Sequence, residues 1–109
     1  MTYRWPAASD FDNWASTTTS VAEDTAIKST PGYVWWLLVQ NTDAANPVAL
    51  ELNNSTDNSG TDLLKISLAS ATDEPRPQFL GPFNPPIEFD TGIYLDLTGG
   101  APLITVGYT

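Results

Sequence analysis

Apolar and polar residues alternate with a period of about two along most of this chain, in stretches only a few residues long. Between those stretches Ser, Thr, Asn, Asp, Gly and Pro recur every several residues. Successive side chains of an extended backbone point to opposite sides, so the pattern predicts short strands joined by turns. Helical spacing of apolar residues is nearly absent. Strands are predicted at Ser20–Lys28, Gly32–Asn41, Val48–Asn53, Leu63–Ala69, Gln78–Phe83, Gly92–Thr98 and Ala101–Tyr108. The expected fold class is all-β: an antiparallel, jelly-roll-like β-sandwich over residues 20–109, preceded by an irregular N-terminal arm over residues 1–19.

Pattern and turn chemistry agree near the end of the chain. Gly99-Gly100 suits a two-residue turn with φ > 0 at both positions, which predicts a hairpin. In that register Leu97 faces Pro102, Leu95 faces Ile104 and Ile93 faces Val106, placing the apolar residues on one side. Asn41–Pro47 reads as a turn-rich link, 53–62 as a polar loop, and the proline-studded stretches 73–77 and 81–86 as edges or crossovers.

The stretch Tyr33–Asn41 departs from simple alternation. Tyr33, Trp35, Leu37 and Val39 form one side, and Val34, Trp36 and Leu38 the other, so both sides are apolar. A two-layer sandwich covers only one face of each sheet. Trp36 is expected in the core with Val34 and Leu38, and Trp35 against a second cover. That cover is either the N-terminal arm, which carries Tyr3, Trp5, Phe11 and Trp14, or another subunit. The residues expected to make a partner interface are Trp5, Phe11, Trp14, Tyr33 and Trp35.

Composition then narrows the chemistry. The 109 residues suit a single domain, and the absence of Cys and His removes thiolate chemistry, sulfur-built zinc sites and the commonest general base. Asp plus Glu number 13 against 4 Lys plus Arg, a formal net charge of -9. The basic residues Arg4, Lys28, Lys65 and Arg76 are scattered singly, which argues against nucleic acid as a partner. The first twenty residues lack the apolar run of a signal peptide, and no stretch approaches a membrane span, so a protein made in the cytoplasm with no membrane partner is expected.

No motif rises to a catalytic or metal site. Asp90-Thr91-Gly92 matches the aspartic-protease tripeptide, but the apolar strand and second glycine-ended segment that accompany it there are missing, and Ile93 follows where Ala or Ser is usual. A turn feeding the strand at Ile93 is the expectation. The run from Asp57 to Asp62 offers oxygen ligands without the EF-hand order. Glu51, Glu88 and Asp96, the carboxylates a glycosidase pair would need, fall at positions expected to be solvated. The sequons at Asn53 and Asn54 and the short Pro75-Arg76-Pro77 motif carry no further expectation. No catalytic residue, cofactor or metal is expected, and exposed aromatics such as Trp35 or Tyr94 leave sugar stacking as the rival use.

From Gly32 onward the order of elements resembles small accessory proteins of tailed bacteriophage virions. The matching features are Asn41-Thr42 at a strand end, the apolar strand Val48–Leu52, the proline-rich stretch leading to Phe89-Asp90-Thr91-Gly92-Ile93, and the closing Val106-Gly107-Tyr108. The resemblance implies a capsid decoration (cement) or head–tail accessory subunit with a jelly-roll-like sandwich, often trimeric. Its expected partners are the major capsid protein or other virion subunits and further copies of itself, and its expected location is the virion. The alternative is a tail-associated carbohydrate-binding or adhesion module.

Overall fold

The computed structural model describes residues 16–17 and 22–109. Among the described residues nine strands follow one another: β1 Ser16–Thr17, β2 Thr25–Lys28, β3 Gly32–Asn41, β4 Val48–Asn54, β5 Thr61–Leu68, β6 Gln78–Leu80, β7 Ile87–Phe89, β8 Ile93–Thr98 and β9 Pro102–Tyr108. No described residue is helical. All pairings are antiparallel. One sheet runs β1-β9-β3, with β6 and β7 sharing the far edge of β3, and the other runs β2-β8-β4-β5. The all-β sandwich follows from the alternation, and β3 has the predicted bounds.

Between the sheets lies a core of aliphatic side chains with one aromatic. Val34, Leu37 and Val39 of β3, Leu50 and Leu52 of β4, Phe89 of β7, Ile93 and Leu95 of β8, and Ile104 and Val106 of β9 are all 0% exposed. Each contributes about 1.5–3 kcal/mol by leaving water, the main force holding the sheets face to face.

The Gly99-Gly100 turn is present, but it does not close a hairpin. Both glycines have positive φ, 80° and 55°. Yet β8 pairs with β2 and β4, whereas β9 pairs with β1 and β3. The turn is an arch that carries the chain from one sheet to the other. The four residues expected side by side are indeed inward, but Ile93 and Leu95 face Ile104 and Val106 across the core. Alternation reports which side of a strand is buried and is silent on whether its neighbour pairs with it or opposes it. A Cβ at Gly99 would lie 2.8 Å from the Pro47 carbonyl oxygen, so the link before β4 holds the arch in place.

β3 also corrects the expected placement of Trp36 and Leu38 in the core. Its register against β9 steps from Val34–Tyr108 directly to Trp36–Gly107, leaving Trp35 as the extra residue of a β-bulge. The bulge moves the inward set from Val34 to Leu37 and Val39. Trp36 and Leu38 therefore point away from the core, and neither tryptophan of β3 belongs to it. The remaining differences are at ends. β2 starts at Thr25, with residues 20–21 outside the described set, and β6 stops at Leu80, two residues before the ring of Pro82. The strand Ile87–Phe89, which follows the proline-studded stretch 81–86 and is not among the predicted strands, pairs with Gly32–Val34.

Candidate functional site

The outer face of the first sheet collects the exposed apolar surface. Register places Trp36 beside Gly107, Leu38 between Phe79 and Thr105, and Gln40 beside Leu103, all pointing away from the core. Among the described residues, the exposed large hydrophobics are Leu38 at 39%, Phe79 at 55% and Leu103 at 39%. All three lie on this face, one each from β3, β6 and β9. Trp36 is half-buried, because its indole lies across the backbone of Gly107, where any Cβ would collide with the ring. Its other neighbour is Phe79, stacked at 5.7 Å between ring centroids and 28° between planes. None of these positions carries a charged residue.

At the other end of the same face the surface is closed. Tyr33 and Glu88 are cross-strand partners facing outward, and they are 4% and 6% exposed. Trp35 is 7% exposed, and its Nε1 donates to Thr109 Oγ1 at 3.1 Å. Glu88 was expected to be solvated, and its burial is a correction. Alternation cannot foresee it, because Glu88 faces away from the partner sheet. Of the residues expected to make a partner interface, Tyr33 shares the face with Leu38 and Phe79, Trp35 is buried at the bulge against Thr109, and Trp5, Phe11 and Trp14 lie outside the described residues.

The polar candidates fall elsewhere and are tied into turns. Asp90 Oδ1 accepts from Asn54 Nδ2 at 2.6 Å, and Thr91 N donates to Asn54 Oδ1 at 2.9 Å. A Cβ at Gly92 would sit 2.8 Å from the Ser55 carbonyl oxygen, so Asp90-Thr91-Gly92 is a close turn leading into β8. The Asp57 carboxylate accepts from Ser55 Oγ, Ser59 N and Ser59 Oγ. Those bonds, that to the Ser59 hydroxyl first, hold it below the usual carboxylate range. Among the described residues no three or more acidic, His or Cys side chains are arranged to hold a metal ion.

Glu51 and Asp96 are cross-strand neighbours on the outer face of the second sheet, whereas Glu88 is on the first. Lys65 lies 3.5 Å from Glu51 and 3.7 Å from Asp62. The Asp96 carboxyl is pushed up, first by desolvation and then by the charges of Asp24 and Asp62. An open depression beside the arch is lined by Glu23, Asp24, Leu97, Gly100 and Pro102, and Asp24 Oδ1 there accepts from Leu97 N. Among the described residues the second sheet thus presents an acidic outer face, and the first an apolar one whose exposed end, around Leu38, Phe79 and Leu103, carries no charge. Sequence reading found the doubly apolar strand that gives rise to the apolar face. It missed Phe79 and Leu103, whose contribution appears only when β6 and β9 are set on either side of β3. No family model matches the chain, and no curated protein or solved structure matches it either.

Proposed function

We propose that this chain is a structural subunit of a larger assembly, held by protein–protein contact through the outer face of its first sheet. The observation that carries the reading is the gathering of Leu38 and Leu103 with the Trp36–Phe79 stack at the exposed end of that face, where these positions carry no charge. Exposed apolar side chains scattered singly need no explanation, but a cluster on one face costs solubility and gives directional association in return. The acidic remainder keeps subunits apart until that face is engaged.

The finer reading is a virion accessory protein, a capsid decoration or cement subunit that reinforces the shell. Two features support it: the resemblance from Gly32 onward, and the strand order β1-β9-β3-β6 opposite β2-β8-β4-β5. That order suits a jelly-roll wiring, an architecture used by capsid proteins and by lectins. Its contacts would be with the major capsid protein or other virion subunits, and with copies of itself as a trimer on a symmetric lattice. An exposed aromatic stack also suits a sugar ring, as in an adhesion module. Here the cross-strand partner of Phe79 is Leu38, which offers sugar hydroxyls no hydrogen bond. The test is quantitative mass spectrometry of purified particles from the chain's source, beside glycan-array binding of the isolated chain. Presence in particles at the copy number of a shell subunit is expected. Absence from particles, or strong glycan binding lost in Phe79→Ala, would overturn the reading.

A further inference from the structure

The outer face of the second sheet has the opposite chemistry to the apolar patch. Leu50, Leu52, Ile93 and Leu95 fill the core, so the residues that alternate with them along β4 and β8 point outward. Pairing sets these in two rows. Tyr94, Asn53 and Asp62 are cross-strand neighbours from β8, β4 and β5, and Asp96, Glu51 and Lys65 form the next row on the same side. With adjacent strands roughly 4.8 Å apart, the two rows frame an area of about 10 Å by 7 Å. Beyond Tyr94 its partner on β2 is Ala26, small and exposed, which leaves that flank of the half-buried tyrosine open.

Asn53 is the odd member of this array. It faces outward, yet it is 1% exposed, and its Nδ2 has no hydrogen-bond partner. Among the described residues no other buried side-chain nitrogen or oxygen is left in that state. A buried amide donor without an acceptor is rare, because it has given up water and received nothing in return. Its row neighbour Asp62 is drawn toward Lys65 instead, at 3.7 Å, too long for a hydrogen bond. That carboxylate is therefore loosely held. When it turns aside, the amide of Asn53 opens between Asp62 and Tyr94.

We propose that this array binds a neutral sugar, with Tyr94 as the surface the ring lies against and Asn53 Nδ2 as the donor that fixes one hydroxyl. A hydroxyl both accepts and donates. It can accept from Asn53 Nδ2 and donate to the carboxylate of Asp62, while the hydroxyls beside it meet Glu51, Asp96 and Lys65. An ammonium or guanidinium group would suit the carboxylates and the tyrosine ring, but it offers Asn53 no acceptor. An acidic sugar would be repelled by the same carboxylates. One aromatic ring with a few convergent polar groups is the composition that orients a small ligand. The inference goes beyond the docking reading and does not depend on it, since the two use opposite sheets. Particle content tests the first, and sugar binding at Tyr94 the second.

The experiment is titration of the isotope-labelled full chain with cellohexaose, mannohexaose and maltohexaose, followed by amide chemical shifts. At least one of the three should move the amides of Asn53, Asp62 and Tyr94 and leave those of Leu38 and Phe79 still. Tyr94→Ala and Asn53→Leu should each weaken that binding by about tenfold or more. Asn53→Leu puts an apolar side chain of similar shape in place of an unsatisfied amide, so its melting temperature should equal or exceed that of the native chain. Loss of binding is thereby separated from loss of fold. No movement with any of the three sugars, movement centred on Phe79, or binding that survives Asn53→Leu would overturn the proposal. So would a response to an oligolysine peptide alone, which would make the face a site for basic segments.

Discussion

At the scale of single residues, Asn41 shows how a polar side chain can be structural rather than functional. It is 3% exposed and uses every hydrogen-bonding position of its carboxamide. Nδ2 donates to the carbonyl oxygens of Asn46 and Ala69, and Oδ1 accepts from the backbone N–H groups of Asp43 and Ala101. The link before β4, the stretch after β5 and the arch before β9 are thereby joined at one point. Asn41→Ala would leave those backbone groups without partners and should cost about 2–4 kcal/mol, read as a lower midpoint in urea. Asp96 gives the opposite lesson. Its carboxyl is raised above 3.8 by desolvation first and by Asp24 and Asp62 next, so the folded chain binds that proton more tightly than the unfolded one. Stability from this group is present at low pH and lost as pH rises from 3.8 through the folded value. Asp43 and Asp57, held low by hydrogen bonds from Ala45 and Ser59 first, contribute in the reverse sense, with stability lost as pH falls. Asp96→Asn should therefore melt higher than the native chain at neutral pH. The gain should vanish below pH 3.8, where both side chains are neutral. Calorimetry at the two pH values checks the sign.

Among the elements, β3 and the β8–β9 arch separate what alternation can and cannot convey. The bounds of β3 were legible because ten consecutive residues of strand-forming character end at a turn-rich link. Its inward set was not, because the bulge at Trp35 breaks the period of two and no residue there announces it. The arch was legible as a turn and illegible as a connection. Glycines with positive φ serve a hairpin and an arch alike, and the pairing of β9 with β3 depends on residues more than sixty positions away in sequence. The face that carries the candidate site inherits the same difficulty: Leu38 was visible in its own strand, while Phe79 and Leu103 join it only through pairing. Two substitutions test these elements. Val at Gly99 and Gly100 should destabilise the fold by several kcal/mol, since β-branched residues resist φ of 80° and 55° and Pro47 and Val48 occupy the space. Gly107→Val should leave the sandwich folded by circular dichroism but lift Trp36 off β9, shifting tryptophan emission to longer wavelength as the Phe79 stack opens.

Across the whole molecule, charge and apolar surface are segregated. The second sheet presents Glu51, Asp96 and Asp62 with a single Lys65, and the first presents Trp36, Leu38, Phe79 and Leu103 with no charge among them. Subunits with a net charge of -9 repel one another over most orientations, and the apolar patch of Trp36, Leu38, Phe79 and Leu103 is where approach costs least. Association through that face is the central claim, and sedimentation equilibrium of the full chain at low and physiological salt tests it most directly. The account predicts a mass above that of the monomer, a trimer in the proposed arrangement, strengthened by salt as the repulsion is screened. Phe79→Asp together with Leu103→Lys should reduce it to the monomer with an unchanged melting transition. A native chain that sediments as a monomer at all concentrations, or a double variant that associates as strongly as the native chain, would contradict the account.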